Sequence, residues 1–261
     1  MRKVFFQNVQ AYQFHLLQKF SDQVSHAVFS RNGGVSSPPY DSLNVRYGIG
    51  DSHSNVDENR KIILKVLGFK RLVSANQTHG KNVLIVDDEF LNFQPAGVEP
   101  DDIDAFVTDA RGVALMIQVA DCQAILMYDP KKQVVAAVHA GWKGLAADIS
   151  GETLTVMRMN FGCNPADLLV CISPSLGPES AFFSNPEEEL PSSFAPFIDS
   201  QKRVDLWEFS TTQLQSHGVR KRNIELARIC TQRDNGENFF SFRGEGGITG
   251  RFGVVIGLPE L

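Results

Sequence analysis

The longest apolar run of the chain, residues 113–128, is interrupted at three positions by polar residues. These are Gln118, Asp121 and Gln123. A run with so many polar residues is unsuited to crossing a bilayer. Its β-branched composition instead predicts two short buried strands, 113–120 and 124–128, with a polar break between them. Another β-branched run at 133–138 predicts a further buried strand.

Similar patterns recur along the chain and predict many short strands with three helices. The other strands are predicted at 24–29, 83–86, 103–108, 168–172, 224–230, 239–242 and 251–258. Helices are predicted after a capping box formed by Ser54 and Asp57, from about Lys143, and over 206–216. The segment 173–203, rich in proline, is predicted to be irregular. Because strands and helices do not alternate as βαβ units, the pattern favours an α+β fold.

Composition narrows the classes of function. The chain has 261 residues, 43% hydrophobic and 21% charged, which is ordinary for a globular protein that can bury a large core. A net charge of −5 and the lack of long Lys/Arg runs argue against a nucleic-acid or membrane surface. We therefore expect a small-molecule partner, with no nucleic acid, no membrane and no obligate protein partner.

The four cysteines lie far apart and form no CxxC pair. This spacing is too sparse for a disulfide framework, so we expect reduced thiols. The N-terminal segment is a poor match to a signal peptide because Gln and Asn interrupt its apolar stretch. Both observations predict a cytoplasmic location.

Three residues stand out as candidate metal ligands. His79 lies in NQTHG, Cys122 in VADCQAIL and His139 in AAVHAGWKG. A Cys or an imidazole at the end of a buried strand needs a polar partner. Two imidazoles and one thiolate suit zinc, and three protein ligands leave a fourth position open for chemistry. The other histidines have no such context and are interpreted as surface or structural residues: His15, His26, His53 and His217.

Their neighbours strengthen this interpretation. Asp121 precedes Cys122 inside a hydrophobic run, where a carboxylate is costly unless it is paired. We expect its side chain to point to the opposite face of the strand, so no proton shuttle is assigned. His139 precedes Ala-Gly-Trp at a strand-to-helix junction, and the amides of a helix start could hold an anion there.

Two glycine-rich segments carry arginines. In RNGGVS, Arg31 either grips a phosphate or carboxylate through its guanidinium fork, or is a solvated residue of a plain turn. In FFSFRGEGGITGR, Arg243 and Arg251 flank flexible glycines. That segment is either a second anion contact or an edge-strand hairpin, and the hairpin is favoured.

The ordered motifs RNGGVS, SLN, DENR, QTHG, ADC, HAGWKG, GP and FFSFR…TGR resemble the laccase-domain family over residues 24–258. Members were first called multicopper polyphenol oxidases and later purine nucleoside phosphorylases, and they include the bacterial peptidoglycan editing factor. The resemblance implies one laccase-domain-type catalytic domain over 1–261. It also implies an α+β fold with a mixed β-sandwich core and flanking helices, related to cysteine hydrolases.

The resemblance also implies roles for particular residues. His79, Cys122 and His139 would bind one zinc ion, and Cys122, His139 and Arg31 would be catalytic. Arg31, Asn44 of SLN and Arg243 would bind substrate. Copper fits less well because six histidines are too few for a multicopper cluster. The usual DCLP is DCQA here, which leaves substrate preference open.

The implied activities are phosphorolysis of adenosine, inosine and methylthioadenosine, with phosphate and nucleoside as substrates, and deamination of adenosine. Three alternatives remain. Cys122 could be the nucleophile of a hydrolase with His139 or His79 as base. The chain could also be an editing factor that releases L-Ser from a UDP-muramic acid precursor, or a zinc-stabilised binding protein without catalysis.

Overall fold

A computed structural model describes residues 1–95 and 97–260. The strands are β1 (Arg2–Phe6), β2 (Val9–Gln13), β3 (Ser25–Phe29), β4 (Arg71–Val73), β5 (Val83–Ile85), β6 (Ala105–Thr108), β7 (Val113–Val119), β8 (Gln123–Asp129), β9 (Val134–Ala140), β10 (Leu169–Ile172), β11 (Ile224–Leu226) and β12 (Phe252–Gly257). The α-helices are α1 (His15–Gln18), α2 (His53–Leu67), α3 (Asp88–Phe93), α4 (Trp142–Ala146), α5 (Ile149–Phe161), α6 (Pro186–Glu189) and α7 (Leu206–Ser216). Short 3-10 helices cover Pro165–Asp167, Ser192–Phe197, Lys221–Asn223 and Gln232–Asp234. Across the described ranges, none of the helices has the length and apolar character needed to cross a membrane.

The strands form two mixed six-stranded sheets. The order in the first sheet is β1-β2-β3-β12-β7-β4, and in the second it is β11-β10-β8-β9-β6-β5. The β4–β7, β10–β11 and β5–β6 pairs are parallel. The other neighbouring pairs are antiparallel.

Three apolar layers hold the sheets and helices together. Ile117 of β7 and Leu126 of β8 belong to the core between the two sheets. Ile63 of α2 packs on the outer face of the first sheet. Leu145 of α4 and Leu214 of α7 pack on the outer face of the second sheet. This α-β-β-α arrangement confirms the expected α+β fold with a mixed β core and flanking helices, whereas the relation to cysteine hydrolases stays a prediction.

The central strands β7, β8 and β9 are buried along their entire length. Both faces of these strands are covered, which explains why their sequences are nearly continuous apolar runs. Each large apolar side chain buried in this way stabilises the fold by roughly 1.5–3 kcal/mol. Gln118, Gln123 and His139 lie near the ends of these strands at one edge of the sandwich, and the candidate site lies there.

The predicted strand at 239–242 and its hairpin are wrong, since the segment is a loop followed by turns. Carboxylate side chains accept hydrogen bonds from the backbone N–H groups of this segment. Asp121 accepts a hydrogen bond from the N–H of Arg243, and Glu245 accepts one from the N–H of Ser241. Donors satisfied in this way are not available for a strand ladder.

Smaller differences concern the helices. The predicted capping box is wrong because α2 begins at His53, and its N-cap residue, Ser52, makes no side-chain capping bond. Asp57 instead accepts a hydrogen bond from the Tyr47 hydroxyl. The helix predicted from Lys143 is divided into α4 and α5 at a residue in the left-handed region, Asp148.

Buried His26 on β3 couples this fold to pH. Its side chain is 2% exposed, and its Nε2 accepts a 2.8 Å hydrogen bond from the backbone N–H of Phe14. Burial lowers the pKa of His26 to about 4 from 6.5, although the Glu225 carboxylate acts in the opposite direction. The neutral ring is therefore the form that belongs to the native structure.

We expect acidification to destabilise the protein through this ring. In the unfolded chain the imidazole is protonated below pH 6.5, whereas in the native protein it stays neutral down to about pH 4. The contribution of the neutral ring to the free energy of unfolding is therefore fully present above pH 6.5 and is lost as the pH falls towards 4. His26→Gln should reduce the loss of unfolding free energy between pH 7 and pH 4.5 by about 2 kcal/mol in urea titrations. His15→Gln, at an exposed histidine, is the control. Equal losses in H26Q and the parent protein would contradict this assignment.

Candidate metal centre

The structure brings His79, Cys122 and His139 together. His79 lies in the loop after β4, Cys122 in the turn between β7 and β8, and His139 near the end of β9. One ligand atom from each residue lies within 4.8 Å of the other two. The Cys122 Sγ is 3.6 Å from the His79 Nε2, and the centroids of the two imidazole rings are 4.7 Å apart.

This donor set fits a zinc ion. Tetrahedral zinc with usual Zn–S and Zn–N bonds places a sulfur and a nitrogen ligand about 3.6 Å apart. The observed separation of 3.6 Å between Sγ and Nε2 matches that edge. His139 is buried, Cys122 is partly exposed and His79 is exposed, so the set has a closed side and an open side.

Asp104, which the sequence analysis missed, organises the centre. One carboxylate oxygen lies 2.7 Å from the His139 Nδ1 and also accepts from the backbone N–H of His79. The other oxygen accepts from the N–H groups of Thr78 and Gly80. A carboxylate bound to one imidazole nitrogen leaves the other nitrogen free to face a metal. The signal was visible, because Asp104 is a carboxylate inside the predicted strand 103–108 and therefore needs partners.

The same contacts shift the pKa values of Asp104, His139 and Cys122. Burial alone would raise the pKa of Asp104, but the hydrogen bond and charge of His139, with the loop amides, lower it to about 2. Burial favours the neutral ring of His139, yet Asp104 and the Cys122 sulfur raise its pKa to about 9. Burial would also raise the pKa of Cys122, but the two imidazoles outweigh it and lower the value to about 6. At neutral pH the sulfur is therefore a thiolate and His139 carries a proton, which a metal ion would have to displace in order to bind both groups.

Gly141 explains why a glycine follows this histidine in the HAGW motif. A Cβ at this position would lie 2.7 Å from the His79 Cδ2 and 3.0 Å from the Cys122 Sγ. Only a residue without a side chain lets the start of α4 approach the centre so closely.

The centre opens into a cavity of about 410 Å³ at the edge of the sandwich. Strand alternation gives this cavity two sides. His139 lies on the face of the second sheet that is directed towards the first sheet, since alternating residues of β9 such as Ala137 belong to the core between them. Gln123 lies on the same face of β8 as Ile125, because every second residue of a strand is directed to the same face. Ile125 and Trp142 belong to the core between the second sheet and the helices.

Three arginines line the cavity: Arg46, Arg243 and Arg251. Arg46 donates to the Asn76 side chain, while Arg243 and Arg251 donate to backbone carbonyls. Within residues 1–95 and 97–260, none of the three forms a salt bridge with a carboxylate. Burial, followed by the charge of Arg46, lowers the pKa of Arg251. Guanidinium groups that share one cavity and form no salt bridge there favour the binding of an anion.

Two of the residues predicted to bind substrate, Asn44 and Arg31, do not line this cavity. Asn44 is fully buried outside the cavity lining, and its Oδ1 accepts from the backbone N–H groups of Arg46 and Arg251. Arg31 is neither solvated nor part of the lining. Its guanidinium binds Glu245 at 2.8 Å and stacks over a phenylalanine ring. Of the predicted substrate-binding residues, the structure places Arg243 in the cavity.

Asp121 also differs from its prediction. It lies in a turn, with φ +87°, and it lines the cavity instead of pointing to the far face of a strand. Its carboxylate accepts from the hydroxyls of Thr231 and Ser241 and from the N–H of Arg243. Asp121 therefore ties the glycine-rich segment, and Arg243 with it, to the metal centre.

Comparison with known proteins places the chain in a family. A family model described as multi-copper polyphenol oxidoreductase laccase matches residues 25–259. The chain belongs to this family. The predicted resemblance is thereby confirmed.

Several relatives in this family carry enzyme names. The purine nucleoside phosphorylase of Bacteroides thetaiotaomicron is 33% identical over 258 residues, covering 93% of this chain and 95% of the relative. The purine nucleoside phosphorylase YlmD of Geobacillus stearothermophilus is 30% identical and covers 88% of this chain and 89% of the relative.

Solved structures show the same fold. The crystal structure of YlmD from Geobacillus stearothermophilus gives a TM-score of 0.85 at 26% identity, covering 99% of this chain and 100% of that one. The Bacillus licheniformis hypothetical protein YfiH gives 0.85 at 27% identity, with 96% of each chain covered.

We predict that Asp104→Asn weakens zinc binding by roughly 10- to 100-fold, because the partner that orients His139 is lost. Competition with a chromophoric chelator measures the affinity, and circular dichroism checks the fold. Asp109→Asn, the same change at an exposed position of the chain, should leave the zinc affinity unchanged. Parent-like zinc affinity in D104N would show that Asp104 does not orient His139 for metal binding.

Proposed function

We propose that the chain is a zinc-dependent purine nucleoside phosphorylase acting as one catalytic domain over residues 1–261. The observation that supports this most is the shared cavity, in which a His/Cys/His ligand set lies beside three arginines without carboxylate partners. The names of the family relatives support the same class of enzyme. Phosphate and a purine nucleoside would be the two substrates.

The arginine cluster is our candidate phosphate site. Arg46, Arg243 and Arg251 provide guanidinium groups whose planar donors suit phosphate oxygens. Asn44 holds the backbone of Arg46 and Arg251, and Arg31 holds the segment of Arg243 through Glu245. We therefore propose a positioning role for Asn44 and Arg31 instead of direct contact with substrate.

In phosphorolysis a phosphate oxygen forms a bond to C1′ of the ribose while the bond from C1′ to N9 of the purine breaks. The electron pair of that bond leaves with the base, which takes up a proton, and ribose 1-phosphate is the other product. The arginines would orient the phosphate and stabilise its charge in the transition state. Zinc, when bound by His79, Cys122 and His139, would supply a Lewis acid beside the reacting groups.

Finer features belong to the same proposal. We propose adenosine, inosine and methylthioadenosine as nucleoside substrates, and deamination of adenosine as a second activity of the site. We propose zinc instead of copper, because one cluster of three ligands is found in the described ranges and a multicopper site needs more. The four cysteines are free thiols, which supports a cytoplasmic location.

The first test is direct. Purified zinc-loaded protein with adenosine and phosphate should yield adenine and ribose 1-phosphate, detected by chromatography. Cys122→Ser and His139→Ala should lower the rate by about 100-fold or more because the ligand set is broken. Cys163→Ser, the same change at a buried cysteine outside the cavity, should retain activity.

The alternatives give different outcomes. Activity that survives complete removal of zinc would favour a hydrolase with Cys122 as nucleophile. No adenine and no inosine from zinc-loaded protein would exclude the nucleoside proposal. The UDP-muramic acid precursor would then be the next substrate to assay, since its diphosphate also suits an arginine cluster.

The second test concerns phosphate. Arg251→Ala and Arg243→Ala should each raise the KM for phosphate by about tenfold or more, since a charge-assisted hydrogen bond contributes roughly 1.5–3 kcal/mol. Initial rates at varied phosphate measure this effect. Arg158→Ala, on an exposed helix position, is the control and should change nothing. An unchanged phosphate KM in both cavity variants would place the anion elsewhere.

A further inference from the structure

We infer that Gln77 positions His79 for metal binding, by joining the loop that carries this histidine to the main chain of β7. The inference rests on the proposed zinc-dependent function and adds a positioning residue to it. Gln77 lies two residues before His79 in NQTHG, and it lines the cavity.

The parallel pairing of β4 with β7 stops before β7 ends. Its last pair is Val73 with Leu115, whereas β7 continues to Val119. On its other side β7 pairs with β12 as far as Val119. The backbone N–H and carbonyl of Gln118 belong to this last part of β7. Because Gln118 is buried, these two groups need partners within the protein.

The side chain of Gln77 satisfies the main chain of Gln118 as a neighbouring strand would. Its Nε2 donates a 2.9 Å hydrogen bond to the carbonyl of Gln118, and its Oε1 accepts a 2.9 Å hydrogen bond from the N–H of the same residue. A side-chain amide has both a donor and an acceptor, so one residue can serve both groups. Both residues are buried, where the loss of such bonds leaves polar groups unpaired.

The loop of His79 is therefore joined to both sheets. Asp104, which directly precedes β6 of the second sheet, accepts hydrogen bonds from three successive N–H groups of the loop. Gln77 joins the same loop to β7 of the first sheet. His139 lies on β9 of the second sheet, and β7 leads into the turn of Cys122. The contact of Asp104 thus positions His79 relative to His139, and that of Gln77 positions it relative to Cys122.

The position of His79 depends on its backbone. The residue is exposed, so its ring is not fixed by close packing on all sides. Its φ of +65° lies in the left-handed region, which a residue other than glycine adopts at a cost and keeps only when its surroundings impose it. The backbone therefore decides how closely the ring approaches the Cys122 sulfur, which lies 3.6 Å from the His79 Nε2. Without the contact of Gln77, part of the free energy of metal binding would go into ordering the loop.

The test measures the affinity of the protein for zinc. Gln77→Met keeps the length of the side chain and removes both hydrogen bonds to Gln118. It should weaken zinc binding by about tenfold, because the loop must then be ordered when the metal binds. Competition with a chromophoric chelator gives the dissociation constants of the parent protein and the variant.

The chain offers a matched control in Gln10. This glutamine is also buried, and its Nε2 donates a hydrogen bond to the side chain of Asn238. It does not line the cavity, so Gln10→Met should keep the zinc affinity of the parent protein. Urea titrations of the metal-free proteins show how much each substitution lowers the free energy of unfolding, and zinc affinities are compared where all the proteins are folded.

A spectroscopic measurement separates positioning from a loss of stability. Cobalt bound in place of zinc gives an absorption band for charge transfer from a thiolate sulfur to the metal, and this band depends on the geometry of the bond. The band should be altered in folded Gln77→Met and unchanged in Gln10→Met. If Gln77→Met does not fold, Gln77→Asn replaces it, since its amide is one carbon too short to bind both groups of Gln118.

The outcomes distinguish this inference from the proposed function. Parent-like zinc affinity in the folded Gln77 variant would overturn the role of Gln77, while the zinc centre and the phosphorylase remain. A loss of affinity in Gln10→Met as large as that in Gln77→Met would overturn it as well. If the parent protein binds neither zinc nor cobalt, the zinc-dependent function fails and this inference fails with it.

Discussion

A single buried carboxylate, Asp104, organises the metal centre. It is fully buried, and its two oxygens accept hydrogen bonds from three successive backbone N–H groups of the loop and contact one imidazole nitrogen. An ionised group can be buried only when such donors replace water. The loop of His79 and the ring of His139 are therefore fixed relative to each other before any ion binds. Such preorganisation gives a site its geometry without a rearrangement on binding.

The rest of the site follows from the ends of buried strands. The turn between β7 and β8 brings Cys122 to the histidines and places Gln123 on the other face of the sheet. Asp121, in the same turn, holds the glycine-rich segment with Arg243 against the centre. One edge of the sandwich thus brings together a His/Cys/His set, three arginines and the rings of Trp142 and Phe183, and this combination underlies the proposed phosphorylase.

Some of this arrangement was predictable from the sequence, and the reason lies in burial. Cys122 interrupts a long apolar run and His139 lies in a buried strand, so the need of both side chains for partners is visible in the sequence, and the structure brings them together. Asp104 gives the same signal and was missed beside more familiar motifs. The different roles of Arg31 and Arg46 could not be predicted, because both residues lie beside turns. Only the tertiary packing decides that the guanidinium of Arg31 binds Glu245 and that of Arg46 lines the cavity. The order of strands in the sheets and the absence of the predicted 239–242 strand also depend on contacts between residues far apart in the sequence, such as that of Asp121 with Arg243.

The proposed function depends on two imidazoles and one thiolate sharing one zinc ion beside the arginine cluster. Anomalous diffraction from crystals of zinc-saturated protein, recorded on both sides of the zinc absorption edge, tests it most directly. We expect one strong peak within bonding distance of His79, Cys122 and His139, about 2.0–2.3 Å from each ligand atom. A map with no zinc peak between these three side chains would contradict it.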